Sequence, residues 1–491
     1  MTSPTDHPDL IVRGARIIDG SGAPSFVADL AVADDRIVAL GDLAALKGAR
    51  EIDAAGRALA PGFIDVHTHD DRALLSDPAM ACKASQGVTT VVTGNCGISL
   101  APLGRDRPMP PPLDLIAAGP DSFFPDFGAY LDALDRDPPA VNAVCQAGHA
   151  TLRAGVMDRF DRPATETEIA VMREHLEAAL DAGAVGLSTG LFYRPANAAP
   201  TEEVVALVRA VAAAGGIHST HMRDEADHVT ESLDETFRIG REGGVPVVIS
   251  HHKVTNAPNH GRTRETLPMI DHARETQPVA LDVYPYPAGS TILNPDRLAG
   301  AARVVVTWSK ARPDVAGRDL ADIAAEMGCG LEDAAARLQP AGAIYFAMDE
   351  DDVRRVLAWR YAMIGSDGLP HDSHPHPRLW GTFPRVLGHY ARDLGLFSLE
   401  DAVRKMTGLP AAQFGLTDRG TIRPGAYADL VLFDPDTVID RADWDHPTLP
   451  ADGVDLVMVN GRAVWEAGAA TGARPGRALR LQSLGPKGGV V

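Results

Sequence analysis

The chain has 491 residues, 45% of them apolar, and a formal net charge of −20. That length buries a sizeable core and suggests two or three domains, or one large barrel with additions. The acid excess argues against nucleic acid or an anionic membrane as partner, since both call for a basic patch, and no apolar stretch approaches the roughly 20 residues that cross a bilayer. The opening MTSPTDHPDL has no basic flank followed by an apolar run, so a cytoplasmic protein is expected. Cys82, Cys96, Cys145 and Cys329 are too irregularly spaced for a disulfide framework and read first as small buried residues.

In chain order, residues 1–61 read as short strands between turns. LIVRGARIID, ADLAVADDRIVAL and REIDAAGRALA alternate and carry β-branched side chains, which suits a small sheet. From residue 62 to 418, short apolar runs alternate with Ala- and Glu-rich helical stretches; the runs include VTTVVTG, AVNAVCQAG, AVGLSTG, GGIHSTH, VPVVISHH, VALDVYP and AMIGSD. Among the helices, ATETEIAVMREHLEAALDAG has a Thr/Glu start, an amphipathic body and a Gly stop. Nearly all-apolar strands alternating with helices imply a parallel sheet buried on both faces. About eight of them predict an α/β fold of the TIM-like (β/α)8 barrel type, with an open doubly wound sheet as the alternative. Residues 292–343 interrupt this rhythm and read as an inserted lid or subdomain. Residues 419–480 return to strands in ADLVLFDPD, VDLVMVNG and RAVWEAG, so both termini are expected to build one small β-sandwich, followed by a tail over 481–491.

Candidate chemistry gathers where the apolar runs end. In FIDVHTHDD, His67 and His69 stand two residues apart, so an extended chain projects both imidazoles to one face, as a metal chelate or as structure. HSTHMRDE adds His221, VVISHHK adds His251 and His252, and MIGSDGLPHD adds Asp367. In a barrel such strand ends converge on the face that carries catalytic groups. VVTGNCGIS places Cys96 where a buried strand runs out into a turn.

PGFIDVHTH, the strand-ending histidines, GSDG and the closing GAYADLVLFDPD and VNGRAVWEAG together resemble the amidohydrolase superfamily. More narrowly, TGNCG, THMRDEADH, ISHHK, DVYPYPAGST and GSDGLPHDSHPHPRLWGTFPRVLG are similar to the N-acyl-D-amino acid deacylases, or D-aminoacylases, and the likeness runs through nearly the whole chain. The resemblance implies a zinc enzyme that hydrolyses the amide bond of small N-acyl-D-amino acids. Many amidohydrolases bridge two metals with a carboxylated lysine from the fourth strand. Here no lysine lies between Lys83 and Lys253, and AVGLSTG offers Ser188 and Thr189. A thiolate is a strong zinc ligand and supplies what is missing. The resemblance therefore implies Cys96, His221 and His251 as ligands of one tightly held zinc, while His67 and His69 hold a weaker second metal or shape the site. It gives Asp367 the proton, accepted from water and passed to the leaving nitrogen. Asp70, Asp71, His149 and His252 are expected to support the site, and His371, His374 and His376 to be loop structure.

For the substrate's α-carboxylate, Lys253, Tyr284, Ser290 and Arg378 occupy positions that the deacylases use, and Tyr193 is a further pocket candidate. Leu298, Tyr345 and Met348 occupy or adjoin the side-chain pocket of relatives that favour apolar D-amino acids. Relatives that prefer acidic ones use an arginine in this loop, here Arg297. Arg297 is expected to point outward, which predicts a neutral or apolar D-amino acid; the alternative is an N-acyl-D-glutamate or N-acyl-D-aspartate deacylase. A hydantoinase-like cyclic amidase would normally carry the absent lysine, and a catalytically silent amidohydrolase-like scaffold has no need of the full residue set.

Overall fold

The computed structural model describes residues 7–488, so the first six residues of the N-terminal reading and the last three of the tail lie outside the described residues. Eight parallel strands form its centre. Phe63–Asp65, Val88–Thr93 and Asn142–Cys145 pair side by side. Gly186–Gly190, Ile217–His221, Val247–Ile249, Val279–Val283 and Ala362–Ile364 continue in the same sense. Two links close the ring. The third strand runs on through Gln146 into Ala147–Gly148, which pairs with the fourth, and Val185 N donates to Cys145 O at 2.9 Å. At the other seam Thr68 and Gly368 form a parallel bridge, and Asp367 N donates to His67 O at 2.7 Å. Closure makes this a (β/α)8 barrel and sets aside the open sheet.

Alternation along the strands builds the interior. Ile64, Val92, Val144, Ile217, Val248 and Met363 meet in one apolar cluster, joined by Leu409 and Phe414 from the segment after the last barrel strand. These residues fill one end of the barrel and leave the other to polar groups. The outer helices follow their sequence signals. Helix Glu166–Ala182 starts on a reciprocal Thr165/Glu168 capping box, buries Met172, Leu176 and Leu180, and stops at Gly183, whose φ of 125° favours glycine.

Strands from both ends of the chain join one nine-stranded sheet. Leu430–Phe433 pairs antiparallel with Ala58–Pro61, which links the C-terminal strands to the N-terminal ones. In this strand Leu430 and Leu432 face a core shared with Leu10, Val12 and Leu30, whereas Val431 and Phe433 pack toward the barrel. The sheet rolls on itself: Ile37 N donates to Ala426 O at 2.9 Å, and Arg36 bridges to Tyr427. The insertion has its own three-stranded antiparallel sheet, Gly289–Ile292, Ala341–Phe346 and Arg303–Ser309, with helices Leu320–Met327 and Leu331–Arg337 packed on a separate apolar cluster. No helix among the described residues is long and apolar enough to cross a membrane.

Candidate metal centre and active site

Strand ends bring the donor groups to the open end of the barrel, and three of these groups sit on strained backbone. Cys96, His251 and Asp367 have φ of 53°, 36° and 50°, in the left-handed region that costs side-chain-bearing residues on the order of 1–3 kcal/mol. The Cys96 loop is wedged between neighbouring strands. A Cβ on Gly94 would lie 2.0 Å from Gln146 O, and one on Gly190 2.1 Å from Cys96 O. These glycines let the loop press the thiol into the centre.

There Cys96 Sγ lies 3.3 Å from both His67 Nε2 and His251 Nε2, and His251 Nε2 lies 3.0 Å from His221 Nδ1. Two donor groups result, Cys96 with His221 and His251, and Cys96 with His67, His69 and Asp367; within each the donor atoms lie within 4.8 Å of one another. Cys96 belongs to both. Burial pushes its thiol up, but His67 and His251 outweigh that and hold it well below the ordinary thiol range, which favours the thiolate. Buried imidazole nitrogens, a thiolate and the Asp367 carboxylate converging in this way form a donor set for a zinc-type ion. Two of the other imidazole nitrogens meet carboxylates, the usual support for metal-binding histidines: His67 Nδ1 is 3.3 Å from Asp282 Oδ2, and His251 Nδ1 is 3.1 Å from Glu225 Oε1 and 2.8 Å from Lys253 Nζ.

Asp367 completes the centre. One carboxylate oxygen lies 3.2 Å from His69 Nε2 and 3.5 Å from His67 Nε2, and the other lies 2.9 Å from Arg378 Nη1. Burial would raise this carboxyl, but Arg378, His67 and His69 hold it well below the usual carboxylate range. Its pairing with His69 lifts that imidazole to about 9 against the effect of burial. Arg378 is itself fully buried, donates to Ser290 O at 3.1 Å and lies 4.5 Å over the Tyr284 ring.

Three charged partners escaped the sequence reading. Glu225, four residues after His221, accepts from Lys253 Nζ at 2.8 Å; Asp282, next to last in the VALDV strand, accepts from His251 N at 2.8 Å as well as meeting His67. Both acids lay inside quoted motifs, and an acid within an apolar strand was the available signal for Asp282. The third is Lys83. Its Nζ donates to Asp65 Oδ2 and Ser366 Oγ, both at 2.8 Å, and lies 3.3 Å from Asp70. This fully buried ammonium ties the start of the HTH segment to the segment carrying Asp367. Lys83→Met is expected to cost about 3–5 kcal/mol, because Asp65 and Asp70 would stay buried without a counter-charge. Urea unfolding measures it, and an unchanged midpoint would remove Lys83 from this role.

The remaining supporting residues sit outside the centre. His149 Nε2 lies 3.0 Å from Glu203, His252 Nε2 is 2.9 Å from Thr266 Oγ1, and His374 and His376 bond loop carbonyls. Burial raises Asp70 to about 6 and Asp71 to about 7. The site of His371 is likewise a loop.

One cavity over the histidines takes in most of the expected substrate residues: Lys253, Tyr284, Ser290, Arg378, Tyr193, Tyr345 and Met348. Tyr193 packs edge-on to His221 and shares a hydrogen bond of 2.9 Å with Thr291 Oγ1. Lys253 is already paired with Glu225, and Ser290 Oγ donates to Ala343 O at 3.3 Å. Two expectations are corrected. Leu298 does not line the cavity; it is buried in the insertion's own core. Arg297, expected to point outward, lines the cavity instead, with its guanidinium 4.0 Å over the Phe192 ring and, among the described residues, no carboxylate within ion-pair reach.

Residues 50–316 and 321–465 match the model of the amidohydrolase family. The chain belongs to that family. Over 471 residues this amidohydrolase is 58% identical to a D-aminoacylase of Alcaligenes xylosoxydans xylosoxydans, covering 96% of this chain and 97% of the relative. A solved D-aminoacylase structure, described in terms of a binuclear metal centre with one-metal activation and second-metal attenuation, superimposes with a TM-score of 0.94 at 57% identity, over 96% of this chain and all of the other. The N-acyl-D-glutamate deacylase of Bordetella bronchiseptica, solved with zinc and a phosphonate mimic of the tetrahedral intermediate, superimposes with a TM-score of 0.93 at 49% identity, with the same coverage.

Proposed function

We propose that this amidohydrolase hydrolyses N-acyl-D-amino acids to a carboxylic acid and a free D-amino acid. The observation that carries the reading is the buried thiolate shared between two histidine groups beside an ionised, arginine-paired Asp367, in a chain so similar to D-aminoacylases. Cys96, His221 and His251 would hold a zinc ion, with Cys96, His67, His69 and Asp367 offering a second place. Zinc in such a site supplies Lewis-acid polarisation of a carbonyl and a lowered pKa for water. The protein's own groups do the rest. Asp367 takes a proton from the attacking water and returns it to the nitrogen as the C–N bond breaks, and Arg378 keeps it ionised for the first of these steps. Lys253 and Arg378 present cationic N–H donors to the substrate α-carboxylate beside the Tyr284 ring. The fourth strand offers no lysine for the hydantoinase-like reading: Ser188 Oγ accepts from Gly97 N and Thr189 Oγ1 donates to Thr220, so both hydroxyls serve packing. A panel of N-acetyl D- and L-amino acids, read by amine release, tests the activity; turnover confined to L-substrates or absent throughout would refute it.

Arg297 supports a second reading of the side-chain preference. A guanidinium that lines the cavity without a carboxylate partner favours an acidic D-amino acid, while Tyr345 and Met348 keep an apolar wall for the methylenes. A charge-assisted hydrogen bond is worth about 1.5–3 kcal/mol, or roughly 10- to 150-fold in kcat/KM. Arg297→Ala is expected to lower kcat/KM for N-acetyl-D-glutamate by that factor and to change N-acetyl-D-leucine far less. Equal losses on both substrates would return Arg297 to a packing role against Phe192.

A further inference from the structure

Beside the catalytic cavity lies a larger groove of about 930 Å³ that no step above uses. Its walls come from the loop after the fourth barrel strand, the edge of the insertion, and loops near residues 110 and 160; Phe160, Phe192, Tyr193, Ile292 and Leu293 give it an apolar lining. The rim is polar, with Arg159 and Asp161 paired at 2.7 Å. The groove adjoins the cavity at two places. Tyr193 lines both, hydrogen-bonded to Thr291 on the cavity side next to Ile292 on the groove side. Leu115 lines the cavity and its neighbour Asp114 the groove.

The deacylase reading, on which this inference rests, gives the substrate three substituents to place. The α-carboxylate has Lys253 and Arg378, and the side chain has Arg297, Tyr345 and Met348. The acyl group has no partner, and the cavity, at about 60 Å³, has little room to spare. We propose that the groove receives the acyl part of the substrate, and that this enzyme takes N-acyl-D-amino acids with extended apolar acyl chains, the chain leaving the cavity past Tyr193 to lie on Phe160, Phe192 and Ile292. An apolar chain fits because Phe160, Phe192, Tyr193, Ile292 and Leu293 supply aromatic and aliphatic surface along the groove, beside the charged lining residues Asp114, Arg159, Asp161, Arg194 and Asp296.

The test compares kcat/KM for one D-amino acid carrying N-acetyl, N-octanoyl or the polar N-glycylglycyl group. Octanoyl is expected to exceed acetyl by about 10-fold or more, well under the value of fully burying the added methylenes, and to exceed glycylglycyl as well. In Phe160→Asp the octanoyl-to-acetyl ratio is expected to fall to about 1. Hydrolysis of the acetyl substrate without an octanoyl advantage overturns the groove assignment and leaves the deacylase reading standing. Preference for glycylglycyl replaces the apolar occupant by a peptide. An octanoyl advantage that survives Phe160→Asp places the chain elsewhere and also overturns the proposal, whereas failure of all three substrates overturns the deacylase reading itself.

Discussion

Replacing Cys96 by alanine is expected to remove tightly bound zinc and activity together. The thiolate is the one donor common to both groups, so its loss leaves His67 Nε2 and His251 Nε2, each 3.3 Å from the sulfur, facing an emptied centre. Removing even a supporting partner of a metal histidine costs about 10- to 100-fold in affinity, and loss of a direct thiolate should exceed that. The fold should survive. Alanine meets the same φ of 53° that cysteine already adopts, and the glycines that admit the loop are untouched. The measurement is zinc per chain in protein prepared without added metal, alongside circular dichroism and deacylation of N-acetyl-D-amino acids. One zinc per chain with near-normal turnover would mean that His221 and His251 suffice and that the sulfur is packing.

Cys96 also marks how far the sequence could be read. The barrel was legible because its strands are apolar on both faces and its helices carry start and stop residues, so local pattern and tertiary role agree. The histidines, Cys96 and Asp367 were legible for a topological reason: strand ends of a closed barrel share one face, and the structure brings all of these groups together there. Side-chain direction within the insertion was not. Arg297 and Leu298 lie in the short 3-10 helix Pro295–Gly300, where successive side chains diverge by about a third of a turn, so Arg297 turns to the cavity and Leu298 to the insertion's core. Without the axial orientation of that helix, adjacency alone could not say which faced in. Glu225, Asp282 and Lys83 were missed for a related reason. Each is a buried charge whose meaning is its partner, and Lys83 meets Ser366 across 283 positions of sequence.

Asp367→Asn should lower turnover by about 10²-fold or more, the usual contribution of general acid/base catalysis, while leaving Cys96, His221 and His251 to hold metal. The substitution suits the site. Asparagine is nearly isosteric, tolerates the left-handed φ of 50° better than most residues, and keeps the backbone bond from Asp367 N to His67 O. What it removes is the negative charge. Arg378, fully buried and 2.9 Å from the carboxylate, and His69, 3.2 Å from it, both lose their anion, so some loss of stability is expected as well. The two effects separate experimentally. A purely structural role for Asp367 would reduce the folded fraction and the amount of active protein, but the turnover of the folded, metal-loaded fraction would stay near wild type. A catalytic role lowers kcat in that same fraction and flattens the acid limb of its pH profile, since the residue that must be ionised to accept a proton is gone. Zinc content, thermal unfolding and kcat against pH, measured on one preparation, decide between them. A wild-type kcat with an unchanged acid limb would assign the proton to another group at the centre.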